Sequence, residues 1–540
     1  MDDYQSIYRS FHWNTPEYFN FGTVIDELAT DRSRVALLWE DQDGNRARLT
    51  FADLARQSNQ IANVFTWLGL RRGDPILLML PRVTMWQAAY IGALKAGLIV
   101  VPCTAMLREK DLVYRANHAQ ARAIIAAPAG ADMIADLRGQ CPSLDALILA
   151  GSARAGWTGL QESMQEAQDR FTPVRTKAID PAICYYTSGT TRNPKAVLHS
   201  HGYTFSHRLT GSHWLDVKPG GLHWTTSDTG WAKAAYGALF GPWMNGVTTL
   251  MYNGRFDPKK QLDLLVKYGV TTFCAPPTEF RMLVKEDLGQ FKFSALRHCT
   301  SAGEPLNPEV IAVWKEHTGL TIHDGYGQTE TIIVAANMPG MEIRPGSMGR
   351  PFPGHDVRIV DEDLNETKVG QVGEIALRIS PERPPSLFME YWKSPEENAE
   401  VFRGDYYLTG DHAARDADGY LWFVGRADDV ILSAGYRIGP FEVESALLEH
   451  PAVMESAVVA TPDADRGSIV KAFVVLKAGT KRNEQMVREL QDHCKRVTAP
   501  YKYPREIEFV DDLPKTVSGK IRRIELRKAE EARKQAVTPS

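Results

Sequence analysis

Residues 49–102 read LTFADLARQSNQIANVFTWLGLRRGDPILLMLPRVTMWQAAYIGALKAGLIVVP. A helix-like stretch from Thr50 to Leu70 gives way to the apolar run Pro75 to Leu80, then to a second helix-like stretch and the strand candidate Leu98 to Val101. That alternation predicts a parallel sheet flanked by helices, an α/β architecture. It returns further along, where Val247 to Tyr252, Pro258 to Tyr268 and Thr271 to Ala275 read as strand, helix, strand. The most apolar stretch, Ala88 to Pro102, is interrupted by Lys95 and is shorter than the roughly 20 residues a bilayer span needs. It reads as a buried helix leading into a strand, and no membrane span is expected.

From about Gly354 the texture changes to short strand-like runs separated by turns, such as Asp356 to Val360, Gly373 to Ile379 and Gly419 to Val424, which predict a β-rich subdomain. After Gly425 come Asp428 and Asp429, then a compact α+β pattern with strand candidates Ser456 to Ala460 and Lys471 to Leu476. The chain is thus expected to divide into residues 1–427, β-rich from about 354, and residues 428–540. The polar tail from Lys528 to Ser540 is helix-prone until Pro539 and is expected to fray.

A length of 540 residues exceeds one ordinary core, and a hydrophobic share of 44% can bury a large interior. With 62 basic and 66 acidic residues the net charge is −4, so no field of one sign draws nucleic acid or an anionic membrane, and a small-molecule partner is expected. The six cysteines, Cys103, Cys141, Cys184, Cys274, Cys299 and Cys494, stand singly among apolar neighbours, without the close pairs of a zinc site or disulfide framework, and read as buried thiols. Met1 to Ser10 lacks the basic and apolar regions of a secretion signal, which predicts a cytoplasmic protein. Monomer and homodimer are both left open.

Tyr185 and Tyr186 end an apolar run, and Thr187, Ser188, Gly189, Thr190 and Thr191 lead through Arg192, Asn193 and Pro194 to Lys195. Small hydroxyl side chains and exposed backbone N–H groups donate to phosphate oxygens, and the lysine offsets their charge, so this loop can surround a polyphosphate. A solvent-exposed turn is the plainer alternative. No glycine precedes Lys195, which disfavours a Walker-type ATPase. Glu330 stands where a dinucleotide fingerprint starting at Gly325 and Gly327 wants its third glycine, which excludes a Rossmann dehydrogenase.

Thr187 to Lys195, together with Gly325-Tyr326-Gly327-Gln328-Thr329-Glu330, Tyr407-Leu408-Thr409-Gly410-Asp411, Gly425-Arg426-Ala427-Asp428-Asp429 and Pro514-Lys515-Thr516-Val517-Ser518-Gly519-Lys520, resembles the adenylate-forming superfamily, in that family's order. The superfamily contains acyl-CoA synthetases, the adenylation domains of peptide synthetases and firefly luciferase. The segments WTTSDTGW (Trp224 to Trp231), SAGYRIGPFEVE (Ser433 to Glu444) and TAPYKYPR (Thr498 to Arg505) are similar to the medium-chain acyl-CoA synthetase branch. The resemblance implies a large N-terminal domain of two α/β subdomains and a β-barrel-like subdomain, followed by a small mobile α+β C-terminal domain.

It also implies roles for particular residues. Thr187 to Lys195 would hold the β- and γ-phosphates of ATP, and Gly303, Glu304 and Pro305 would line the adenine. Asp324 to Thr329 would form the floor under adenine and α-phosphate, with Thr329 near the reacting carboxylate and Glu330 helping to hold Mg²⁺, a hard cation that prefers oxygen ligands. Asp411 would accept from both ribose hydroxyls and Arg426 would add a second ribose contact. Lys520 would be the catalytic lysine that reaches the carboxylate and α-phosphate. Asp428 matches the hinge by position. Ala434, Gly435 and Tyr436 would line a pantetheine tunnel for coenzyme A, Arg466 would meet the CoA phosphates, and Arg437 would sit near the substrate end. The acyl pocket would involve Trp231, Tyr236, Pro276, Ser301 and Gly327, with Trp231 placed to close it against long chains.

Two positions depart from the family pattern. Arg192 stands where glycine is usual, adding a cation and removing backbone freedom from the phosphate loop. Ala105 stands where the branch often has a glutamine that meets CoA, so that contact is expected to be absent. The expected reaction is AMP-forming ligation of a carboxylic acid to CoA through an acyl adenylate, on short to medium-chain, branched or small aromatic acids. The alternative is an adenylating enzyme that loads a carrier protein.

Overall fold

The computed structural model describes residues 3–132, 137–187, 194–426, 429–433, 436–463, 467–499, 501–515 and 521–537. The opening stretch folds as its pattern predicts. Thr50 caps the helix Phe51–Trp67 through a reciprocal pair: its hydroxyl accepts from Asp53 N at 3.1 Å while the Asp53 carboxylate accepts from Thr50 N at 3.0 Å. The strand Pro75–Met79 is buried at every residue, as a parallel strand covered on both faces must be. Lys95, which interrupts the apolar run, ends the helix Thr84–Lys95 fully buried, donating to Asp26 at 2.5 Å and Asn59 at 2.6 Å. Burial pulls its ammonium pKa down despite the Asp26 carboxylate.

Two large sheets follow. The first, eight-stranded, runs in the order Glu390–Tyr391, Lys195–Ser200, Pro181–Thr187, Ile99–Pro102, Pro75–Met79, Ala123–Ala126, Ala146–Leu149, Thr158–Gly159. It is parallel from Pro181–Thr187 onward and antiparallel across the two strands before it. The second has nine strands, whose parallel centre is Ile322–Gly327, His298–Ala302, Thr272–Ala275, Leu222–Thr225, Thr248–Asn253 and Val35–Asp41. A third, antiparallel sheet joins Val357–Val360, Val372–Arg378, Tyr406–Arg415, Phe402–Arg403 and Leu421–Arg426, the β-rich part expected from about residue 354. One apolar core runs through all three, taking Leu78 and Val100 from the first, Leu37 and Met251 from the second, and Ile375 and Tyr407 from the third.

From Ile431 the apolar side chains form a cluster of their own, including Val443, Leu447, Val458, Val474 and Leu490, around the sheet of Val453–Asp463, Gly467–Leu476 and Glu506–Phe509. The tail is helical, as its composition predicts, and it is anchored over part of its length. Arg523–Val537 is a helix, and Glu530 within it is buried, bonded to Lys471 at 2.8 Å. A buried ion pair ties down what composition alone marks as a fraying end. All six cysteines are buried and free. No helix among the described residues is long and apolar enough to cross a membrane.

Candidate active site

The second sheet brings three chain segments to one edge. Ala275 pairs with Ser301, Ser301 with Asp324 and Ala302 with Gly325, so the carboxyl ends of adjacent parallel strands stand level. Pro276, Gly303-Glu304-Pro305 and Gln328-Thr329-Glu330 leave those ends together, where open α/β sheets hold ligands. Gly303 has φ +110°, which a side chain would strain, and this lets the chain turn out of the strand into Glu304. Glu304 accepts from Arg281 at 3.1 Å. Asp324 is buried and its carboxylate accepts from Gly325 N at 3.0 Å; burial pushes its pKa well above the aspartate range, with Lys233 working against the rise. Lys233, which the sequence did not single out, donates to the Ala302 carbonyl at 3.3 Å.

Asp411 comes to this edge from the third sheet. It pairs with Arg426 across adjacent strands beside a bulge, and Arg426 Nε stands 4.0 Å from its carboxylate. Bulges re-aim side chains at sheet rims. Its Oδ2 accepts from Tyr326 at 2.7 Å and from Gln328 Nε2 at 2.6 Å. Gln328 also donates to Thr409 O at 2.8 Å and accepts from Tyr407 at 2.9 Å, so the Tyr326-Gly327-Gln328 turn is locked to the third sheet. Gly327 has no room for a side chain, since a Cβ there would stand 2.3 Å from Ile332 O.

The segment expected to surround a polyphosphate connects two antiparallel strands of the first sheet, whose last pair before it is Thr187 and Lys195. Ser188, Gly189, Thr190, Thr191, Arg192 and Asn193 lie outside the described residues. Pro194 is held at its carbonyl by Tyr114 at 3.2 Å, and the Lys195 ammonium lies 4.8 Å from the centre of the Tyr391 ring. Tyr391 sits on the short edge strand that pairs with Lys195–Ser200, and its hydroxyl donates to Glu330 at 2.8 Å. Burial pushes the Glu330 carboxyl up from the glutamate range, opposed by that hydrogen bond. The turn is also held from below: His199 Nε2 lies 2.7 Å from Thr329 O. Burial drives the His199 pKa down to about 3, so the ring is neutral at ordinary pH and donates that Nε2 proton. Neither Tyr391 nor His199 was legible beforehand; each lies in an aromatic-rich or apolar segment whose composition says core.

Around the expected acyl pocket the findings are mixed. Ser301 is fully buried and its hydroxyl is committed to Ala275 O at 2.9 Å. Tyr236 opens one turn of π-helix, Tyr236–Phe240, a departure frequent at functional sites, and stacks on His207 with centroids 5.4 Å apart. Trp231 is half-buried and stands at the N-terminus of the helical turn Ala232–Ala235. Pro276 caps the helix Pro277–Leu283.

Asp428, Ala434, Gly435, Arg466 and Lys520 lie outside the described residues, and of Tyr436 and Arg437 only the backbone is described, in the strand Tyr436–Ile438 paired with Ile431–Ser433. Their anchors are visible. The bridge between Lys515 and Ile521 closes the segment that carries Lys520, and Arg523 beyond it grips the buried Glu444 at 2.6 and 2.9 Å. Asp429, beside the expected hinge, pairs with Arg527 at 2.6 Å. Gly439 packs against the third sheet, where a Cβ would meet Val424 O at 2.1 Å.

Comparison with known proteins agrees with this arrangement. Residues 26–392 match the family model described as AMP-binding enzyme, and residues 442–520 match the AMP-binding enzyme C-terminal domain. The chain is 44% identical over 543 residues to acyl-coenzyme A synthetase ACSM3, mitochondrial, of Pongo abelii, covering 98% of this chain and 93% of that one. It is 45% identical over 520 residues to the uncharacterized acyl–CoA ligase YtcI of Bacillus subtilis (strain 168), covering 96% and 97%. Among solved structures, the anthranilate CoA ligase AuaEII in complex with anthranoyl-AMP superposes with a TM-score of 0.89 at 31% identity, covering 98% of this chain and 100% of that one.

Proposed function

Because the chain belongs to the AMP-binding enzyme family, we propose that it is an AMP-forming acid–CoA ligase that converts a carboxylate, ATP and CoA to acyl-CoA, AMP and pyrophosphate. The observation that carries this reading is the convergence of the Asp411, Tyr326 and Gln328 network with the Lys195, Tyr391 and Glu330 chain on one strand edge. The first group suits a ribose: the Asp411 carboxylate is an acceptor of the kind diol hydroxyls donate to, and Tyr326 and Gln328 hold it in place at the strand edge. The second suits the phosphates, where Lys195 meets their charge beside a carboxylate oxygen. Glu330 fits a Mg²⁺ ion in chemistry, because its carboxylate is a hard oxygen donor and Mg²⁺ is usually bound by one or two carboxylates plus substrate phosphates. When bound there, the ion supplies charge neutralisation at the phosphates.

In the first half-reaction a carboxylate oxygen attacks the α-phosphorus, the bond to the β-phosphate oxygen breaks and pyrophosphate leaves. Negative charge gathers on the α-phosphate as two anions approach, and a positioned Lys520 ammonium stabilises that arrangement more than the separated reactants. In the second the CoA sulfur attacks the acyl carbon, the acyl–phosphate bond breaks, AMP leaves and the thiol proton is released. No enzyme nucleophile is required, so catalysis is positioning and charge stabilisation. We place the division between the two units at residues 427 and 428, with Asp428 as hinge, so that Lys520 serves the first step and the segment 434–437 the second.

The acid is read as short to medium-chain, branched or small aromatic. A Trp231 that closes the pocket, as the family resemblance implies, and the likeness to an anthranilate ligase favour a small acid. The cytoplasm remains our proposed compartment, while the ACSM3 relatives are named as mitochondrial. A screen of carboxylic acids for CoA-dependent AMP release tests the reading. Thioester formation with free CoA and no carrier protein is expected; adenylation that never passes to free CoA would favour the carrier-loading alternative.

A further inference from the structure

A cavity opens where the loop after strand Pro75–Met79 meets the loop after strand Thr248–Asn253. Its floor is apolar, with Trp224 and Met251 almost wholly buried, and the helical segment 232–240 contributes one wall. Arg82 and Arg255 line its mouth side; Arg82 spends one N–H on Gly254 O at 2.7 Å, leaving the rest of a five-donor fork. The opposite chemistry comes from the helix Pro258–Tyr268 and its neighbour. There Gln261 Nε2 donates to Glu279 at 2.9 Å, and Gln261 Oε1 has no hydrogen-bond partner among the described residues although the residue is only 5% exposed. A buried acceptor left unmet costs about 1–3 kcal/mol, so such a group in a cavity wall calls for a donor. None of the residues assigned to ATP or the acyl group lines this cavity.

We propose that this cavity is a second small-molecule site, separate from the adenylation cleft, for a carboxylate bearing a hydroxyl or amino donor at its far end. The carboxylate meets Arg82 and Arg255, the apolar stem lies on Trp224 and Met251, and the donor meets Gln261 Oε1 beside the Glu279 carboxylate. Pockets with an apolar lining and a few placed polar groups at opposite ends select ligands in this way.

The test is calorimetric titration of the full chain with 4-hydroxybutyrate, 4-aminobutyrate and butyrate, and with their six-carbon counterparts. The cleft is filled beforehand with an acyl-sulfamoyl adenosine. Saturable binding of a hydroxy or amino acid is expected, roughly tenfold tighter than its unsubstituted partner, as one hydrogen bond confers. Gln261→Leu should erase that preference, and Arg255→Ala, at an exposed position, should weaken all members about tenfold. Absence of saturable binding, affinities indifferent to both variants, or displacement by CoA would each overturn the proposal. If the sulfamoyl analogue does not bind, the ligase reading fails on its own account, and the same titrations without it still decide the cavity.

Discussion

The Tyr391 side chain touches two charged groups at once, donating to Glu330 at 2.8 Å while Lys195 lies over its ring. Tyr391→Phe keeps the ring and loses the hydroxyl. It should therefore weaken Mg²⁺-dependent ATP binding about tenfold, by calorimetric Mg²⁺ titration, with the fold unchanged in thermal melts. An unaltered Mg²⁺ requirement would deny Tyr391 its positioning role. Lys520→Ala should slow acid-dependent exchange of pyrophosphate into ATP by roughly 100- to 1000-fold, the scale of losing one donor to a charge-developing oxygen. Attack of CoA on a supplied acyl adenylate should be spared, and equal loss in both steps would remove the assignment. Arg192→Gly tests the one cation that departs from the family's loop: a raised KM for ATP is expected if Arg192 meets phosphate, and an unchanged KM would show that it does not. The motif residues were legible because each stands in a block of sequence that resembles a known family's, in that family's order. Tyr391 and His199 stand in no such block, and the groups they hold lie 61 and 130 residues away.

Elements decide what those residues can reach. The turn after strand Ile322–Gly327 is clamped from the third sheet through Gln328 and from the first through His199, so three sheets set the position of Thr329. His199→Leu leaves the Thr329 carbonyl without its donor. A stability loss of about 1–3 kcal/mol in denaturant unfolding is expected, along with a lower kcat for adenylation. A normal kcat would mean that the clamp is structural alone. At the other end, Gly439 abuts Val424 of the third sheet across the proposed division, while Asp429 pairs with Arg527 inside the proposed C-terminal unit. Asp428→Pro fixes φ at the proposed hinge. One half-reaction should then fall while the other persists, in separate assays of pyrophosphate exchange and thioester formation. Normal rates in both would place the hinge elsewhere.

At the scale of the whole molecule the buried histidines set a pH limit. His199 and His223 are held down to about 3 and His201 and His355 to about 4 by burial. In the unfolded chain each takes a proton near the ordinary value of about 6.5. Between those values the unfolded state binds more protons, so stability rises with pH and is lost as pH falls from about 6.5 toward 4. Each such group costs up to about 1.4 kcal/mol per pH unit in that window. Tm should fall steeply on acidification below about pH 6, and a flat Tm down to about pH 4.5 would contradict this protonation scheme.

The alternation of residues 49–102 determined the fold class by itself, because side-chain periodicity and strand length follow from local burial. The motif order likewise determined the chemistry expected of Asp411, Glu330 and Lys520. Tertiary structure alone decided which groups meet. That Tyr326 and Gln328 share one oxygen of Asp411, or that a two-residue edge strand delivers Tyr391 to Lys195, depends on sheet order and register between distant segments. The helix Arg523–Val537 gives the same lesson, since its polar composition reads as a loose end until Glu530 finds Lys471. Periodicity records which face of a segment is buried; the partner on that face is chosen by the rest of the chain.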